Sequence, residues 1–150
     1  MEKIASFTVD HTKLDTGLYI SRIDGDIVTY DIRMKKPNAE PVLENGAIHT
    51  IEHLAATFLR NSKFKDNIIY FGPMGCRTGC YLLTRGMSDG DVLALLQKTF
   101  RFIADYEGDI PGASAVECGN WLDHDLKGAK AEAEKMVTIL NSKTVENMKY

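Results

Sequence analysis

The sequence predicts an α+β fold in a single domain over residues 1–150: a mainly antiparallel sheet packed against helices, one of them a metal-binding H-x-x-E-H helix. Three observations carry this. Short segments that alternate polar and apolar residues bracket glycine-containing turns. Three longer stretches place apolar residues at helical spacing. The two kinds of segment do not alternate strictly, as a parallel β-α-β sheet would require. With 44% hydrophobic and 26% charged residues the chain has an ordinary core and surface, and at this length it needs no disulfide or structural metal merely to fold. A metal site in it therefore points to function.

Taken in order, Ile4 to Val9 reads as a short strand. Tyr19 to Ile23 and Ile27 to Met34 flank Asp24-Gly25 and form a hairpin, with Val28, Tyr30, Ile32 and Met34 on one face by the period of two. Pro37 and Pro41 break the chain before Asn45, the expected N-cap of a helix running to about Arg60. Its apolar stripe is Ile48, Ile51, Leu54, Ala55 and Phe58; His49, Glu52 and His53 mark an adjoining face. Asn67 to Phe71 and Gly79 to Arg85 read as two further strands around the turn from Gly72 to Cys76. Ser88 caps a second helix that carries Val92, Leu95, Leu96, Phe100, Ile103 and Tyr106. After a loop from Gly108 to Trp121, a third helix spans about Asp125 to Leu140.

Composition excludes several partners. The net charge is -3, with no block of like charge and no basic stripe to neutralise phosphates, so nucleic acid is not an expected partner. The longest apolar run, Val92 to Leu96, falls far short of the roughly 20 residues that span a bilayer. The N-terminus, with Glu2 and Asp10, lacks an apolar signal region, so a soluble cytoplasmic protein without membrane contact is expected. Cys76, Cys80 and Cys118 form no C-x-x-C pair, which fits reduced thiols better than a disulfide framework.

His49-Thr50-Ile51-Glu52-His53 is the sharpest motif. Histidines at i and i+4 on a helix lie one above the other and can converge on one tetrahedral metal, and Glu52 beside them is placed to act as a general base. The plainer alternative is a helix surface with two histidines and a salt-bridging glutamate. A catalytic site needs a third ligand, for which Cys118 in Glu117-Cys118-Gly119-Asn120 is the candidate; it reads equally as a small buried residue. A His2Cys set suits Zn²⁺ or Fe²⁺ and not Mg²⁺ or Ca²⁺. Cys76, between two glycines and followed by Arg77, reads as an exposed thiol activated by a cation or as a turn residue of no chemical use. Cys80 reads as a strand packing residue.

Several segments now stand in order: Ser6-Phe7 with Asp10-His11, Asp31-Ile32-Arg33, His49 to His53, Pro73-Met74-Gly75-Cys76-Arg77-Thr78-Gly79, Glu117-Cys118-Gly119-Asn120 and His124-Asp125-Leu126. Together they resemble the S-ribosylhomocysteine lyase family, the LuxS type of bacterial enzyme, over nearly the whole chain. The resemblance implies a homodimer with active sites at the subunit interface and one Fe²⁺ per subunit, which Zn²⁺ or Co²⁺ can replace. It implies His49, His53 and Cys118 as metal ligands, Glu52 and Cys76 as acid-base groups, and Ser6, His11 and Arg33 as substrate contacts. On residue type alone those three read as a strand-end cap, a surface imidazole and a solvated cation. The implied reaction cleaves S-ribosylhomocysteine, by carbonyl migration and β-elimination, to homocysteine and 4,5-dihydroxy-2,3-pentanedione. That product is the autoinducer-2 precursor, which links the methyl cycle to quorum sensing. The chain departs from the family pattern at Tyr70-Phe71-Gly72, where Asp-Ile-Ser is common. An inverted-zincin peptidase shares H-x-x-E-H, and a non-enzymatic metal-binding domain would fill all four metal positions.

Overall fold

A computed structural model describes all 150 residues. Two hairpins build its sheet. In the first, β1 (Gly17–Asp24) and β2 (Ile27–Arg33) meet at Gly25, whose φ of 63° is the left-handed turn conformation that glycine tolerates. The second joins β3 (Ile68–Pro73) to β4 (Gly79–Arg85). The strand order is β1-β2-β4-β3, antiparallel throughout, so β2 and β4 are central. Alternation along these two strands sends Tyr30, Ile32, Cys80 and Leu82 to one face, where all are fully buried. Three helices cover that face: α1 (Asn45–Arg60), α2 (Asp89–Ala104) and α3 (Leu126–Asn141). α1 lies against β3, and α3 packs on both α1 and α2. One apolar cluster runs through sheet and helices, from Leu18 to Met148.

Local chemistry sets the ends of these elements. The Ser88 hydroxyl accepts from Asp91 N–H at 3.1 Å and caps α2 as expected, and the Asp125 carboxylate caps α3 through Gly128 N–H at 2.9 Å. Asn45 is not a cap: Glu44 holds that position without a side-chain bond, and the helix begins at Asn45 itself. α2 ends at Ala104, so Tyr106 lies beyond it and its hydroxyl donates to the Asp109 carbonyl. β3 continues to Pro73, which its position on an edge strand permits because no ladder N–H is needed there.

The segment Ile4 to Val9 is not a strand. Ala5–Phe7 forms a short 3-10 turn, locked by Thr8 Oγ1 donating to the Ala5 carbonyl at 2.7 Å. The sheet edge it would have extended is already engaged by the C-terminus, where Ile20 N–H of β1 donates to Met148 O at 2.8 Å. Left without a partner strand, the segment keeps Ile4 and Phe7 in solvent.

Candidate active site

Helical spacing on α1 brings the His49 and His53 rings to 4.7 Å, edge to face. The loop before α3 supplies the rest. Cys118 N–H donates to the Ser114 carbonyl at 2.9 Å, a turn that sets Cys118 Sγ 3.4 Å from His49 Nε2. His124 stacks on His49 at 3.9 Å. The loop is pinned to the start of α1, where Asp125 N–H donates to both Gly46 O and Thr50 Oγ1. Ligand atoms of His49, His53, Cys118 and His124 all lie within 4.8 Å of one another.

Hydrogen bonding fixes which nitrogen of each ring is free. His49 Nδ1 faces the Asp123 carbonyl and His53 Nδ1 the Pro111 carbonyl, both at 2.8 Å. A carbonyl only accepts, so each Nδ1 carries the proton and each Nε2 presents a lone pair. His124 follows by one more step. The Thr50 hydroxyl gives its one proton to Gly46 O at 2.8 Å, so at 3.0 Å it accepts from His124 Nδ1. His124 Nε2 is then a bare lone pair, buried and without a partner. Burial, and then the neighbouring His49 and His53, hold the His124 pKa below the usual imidazole value, which favours the neutral ring. Three bare imidazole nitrogens and one cysteine sulfur, converging around an unsatisfied polar atom, fit a soft divalent ion.

A second group of side chains gathers at an open pocket of about 370 Å³, lined by Ser6, His11, Arg33 and Cys76 among others. Cys76 is exposed on the β3-β4 turn, which Arg77 closes with a φ of 58°. The Arg77 guanidinium turns away to the Leu43 carbonyl at 3.3 Å, so it is not the cation beside the thiol. That cation is Arg33, which also proves not to be a solvated strand residue: it is 3% exposed. Asp31, fully buried two residues back on the same face of β2, accepts from Arg33 Nε at 3.1 Å and Nη2 at 2.6 Å. Asp31 also accepts from the Tyr150 hydroxyl at 2.6 Å. Opposite Arg33 on β4 stands Gly79, where any Cβ would collide with the Ile32 carbonyl, so only glycine lets the strands close there. His11 Nδ1 donates to the Val9 carbonyl at 2.9 Å, leaving Nε2 as an acceptor.

Glu52 is half-buried on α1 and makes no hydrogen bond or ion pair. Burial and then the Glu52 charge push the fully buried Cys80 thiol up, which keeps it an unreactive packing residue. None of the four metal-donor residues lines the pocket that holds Cys76. The largest pocket, about 550 Å³, lies elsewhere, between Leu14, Tyr19 and Tyr150, and is lined by no histidine or cysteine.

A family model, S-ribosylhomocysteinase (LuxS), matches residues 4–147. The chain belongs to this LuxS family. Proteins named S-ribosylhomocysteine lyase from Phocaeicola vulgatus and Clostridium beijerinckii are each 53% identical to it, and one from Porphyromonas gingivalis is 54% identical. All three alignments take in the whole of this chain and 98–99% of the relative.

Membership of the LuxS family leaves the peptidase and the non-enzymatic metal-binding domain without support. The structure assembles His49, His53 and Cys118 in one group and Ser6, His11, Arg33 and Cys76 in another. It adds three residues that were not singled out as site members: His124, Asp31 and Thr78. All three stand in segments that carry the family resemblance, His124 before a helix cap, Asp31 beside Arg33 and Thr78 two residues after Cys76, but residue type alone gives none of them a site role. At the departure from the family pattern, the Tyr70 hydroxyl overlies Gly72, so a Cβ there would collide with the ring. Tyrosine at position 70, in this pose, requires glycine at position 72.

Proposed function

We propose that this chain is a metal-dependent S-ribosylhomocysteine lyase, one domain over residues 1–150, working in the cytoplasm as a homodimer. The observation that carries the reading is the convergence of bare His49 and His53 nitrogens with Cys118 Sγ on the H-x-x-E-H helix of a LuxS-family chain. These three side chains would hold the ion, Fe²⁺ as the family resemblance implies, and their nitrogen and sulfur donors accept Zn²⁺ or Co²⁺ as substitutes. When bound, the ion supplies Lewis-acid stabilisation of charge that develops on the sugar oxygens.

The remaining chemistry belongs to the chain's own residues. The sulfur of the substrate leaves only when the carbon beside its attachment point bears acidic hydrogen, so the carbonyl must first move from carbon 1 of the ribose to carbon 3. Each move takes a proton from one carbon and returns it to the neighbouring one. Cys76, exposed at the pocket, carries those protons. Glu52, half-buried and free of other partners, carries protons between the oxygens. It then takes the carbon 4 proton as the carbon 5–sulfur bond breaks; sulfur leaves with the electron pair as the homocysteine thiolate, which takes up a proton from Glu52 or solvent, and the enol left between carbons 4 and 5 ketonises to the dione. Ser6 and the His11 acceptor nitrogen bind sugar hydroxyls, and Arg33, held in orientation by Asp31, binds another polar part of the substrate.

The homodimer reading is supported by the separation on one chain of the metal group from the Cys76 pocket, and by the solvent-exposed Ile4 and Phe7 beside that pocket. A site between two chains would unite the two groups. Anaerobic incubation of the iron-loaded protein with S-ribosylhomocysteine, followed by a thiol reagent, should reveal homocysteine. Its absence at full metal occupancy overturns the proposal.

A further inference from the structure

We infer that Thr78 is a positioning residue that holds the Cys76 sulfur in its thiolate form by donating the threonine hydroxyl proton to it. The inference rests on Cys76 being a proton carrier of the proposed lyase. Thr78 Oγ1 lies 3.1 Å from Cys76 Sγ, and Arg33 Nη1 reaches the same oxygen at 2.6 Å. A guanidinium has donors only, so the bond from Arg33 occupies a lone pair of Oγ1 and leaves the hydroxyl proton unassigned. Thr78 is 5% exposed and its hydroxyl has no other acceptor.

Two arrangements are then open. The thiol S–H donates to Oγ1, which strands a buried O–H without an acceptor and costs its desolvation. Otherwise the O–H donates to sulfur. An exposed neutral thiol would accept only a weak bond while its S–H turned to water, whereas a thiolate is a strong acceptor, so this arrangement gains most when sulfur is ionised, its proton having passed to solvent. The second also sets the negative sulfur two hydrogen bonds from a buried cation, with the Thr78 hydroxyl between them.

Thr78 cannot easily drift from this role. Its carbonyl accepts from both Met34 N–H and Lys35 N–H at 2.9 Å, which pins its backbone to the end of β2. Arg33 is fixed by Asp31, and Asp31 by the Tyr150 hydroxyl. The polar chain Tyr150, Asp31, Arg33, Thr78 thus ends on Cys76.

The test compares Thr78→Val, which keeps shape and loses the hydroxyl, with Thr78→Ser, which keeps the hydroxyl. Alkylation of Cys76 by iodoacetamide at neutral pH, with Cys76→Ala as the blank, should slow at least about tenfold in Thr78→Val. The ultraviolet thiolate absorbance should fall with it, while Thr78→Ser stays near the parent. An unchanged rate in a folded, fully metallated Thr78→Val overturns the inference. A measurement on the parent guards against misfolding of the variant: its infrared spectrum, less that of Cys76→Ala, should lack an S–H stretch, and a Cys76 S–H band overturns the inference directly. These readouts are independent of turnover, so failure of homocysteine release in the parent would count against the lyase reading alone.

Discussion

Replacing Asp31 with asparagine keeps the side chain's shape and removes the counter-charge of Arg33. Asp31 is fully buried and Arg33 is 3% exposed, so the guanidinium left behind gains no water and retains only its bond to Thr78 and a neutral amide oxygen. Removing one member of a buried ion pair typically costs about 3–5 kcal/mol. The amide oxygen preserves part of the bonding, which places the expectation at about 3 kcal/mol, a large share of the ~5–15 kcal/mol that holds a domain folded. Urea unfolding of the metal-loaded protein reads this directly. With a slope of roughly 1–3 kcal/mol per molar, the midpoint should fall by about 1–3 M at unchanged slope. Asp31→Leu combined with Arg33→Met removes both charges and should recover much of that stability, though not activity. A midpoint shift below about 0.3 M for Asp31→Asn would show that Arg33 does not depend on Asp31, and the polar chain behind Cys76 would have no anchor.

Three other outcomes are expected. His49→Ala, His53→Ala and Cys118→Ala should each lower bound metal to well below one ion per chain by elemental analysis, with His124→Gln intermediate; full occupancy in the first three would eliminate the site. Mixed dimers of inactive His53→Ala and inactive Cys76→Ala subunits should regain activity if each site draws on two chains, whereas His11→Ala with Cys76→Ala, which line one pocket, should not. Burial, and then the bond to Asp31, push the Tyr150 phenol up, so unfolded Tyr150 loses its proton first, near the usual tyrosine value of about 10, and stability falls as pH rises above it. Tyr150→Phe should flatten that alkaline loss in a thermal melting series, and an unchanged slope would remove Tyr150 from the network.

What the sequence made legible were local features. Asp24-Gly25 between alternating segments, Ser88 three residues before Asp91, and histidines at i and i+4 are each set by chemistry within one turn or one hairpin, and each is found in the structure. Helix ends shifted locally by a residue or two, at Asn45 and Tyr106, and the larger errors arose where a distant segment decides the outcome. Ile4 to Val9 has strand composition, but the C-terminus engages the edge it needed. Arg33 reads as a surface cation until Asp31 beside it is covered by Tyr150, 119 positions away in the chain. Arg77 stands next to Cys76 in sequence, yet a left-handed turn at Arg77 sends its side chain to Leu43, and the register of β2 on β4 brings Arg33 there instead.

The same alternation explains how one strand serves both core and site. On β2, Tyr30 and Ile32 point to the helices, and the intervening Asp31 and Arg33 point to the opposite face. Such a face is ordinarily solvated, and an aspartate and an arginine there would form a screened pair of little energetic worth. Here it is closed over, with Tyr150 stacked on Tyr19 at 5.0 Å and bonded to Asp31. Closure removes water from the pair and makes it rigid, and that rigidity gives Arg33 one orientation toward Thr78. The residues that close this face contribute no reacting group. Their effect is to turn a flexible surface cation into a fixed one, which the geometry at Cys76 requires.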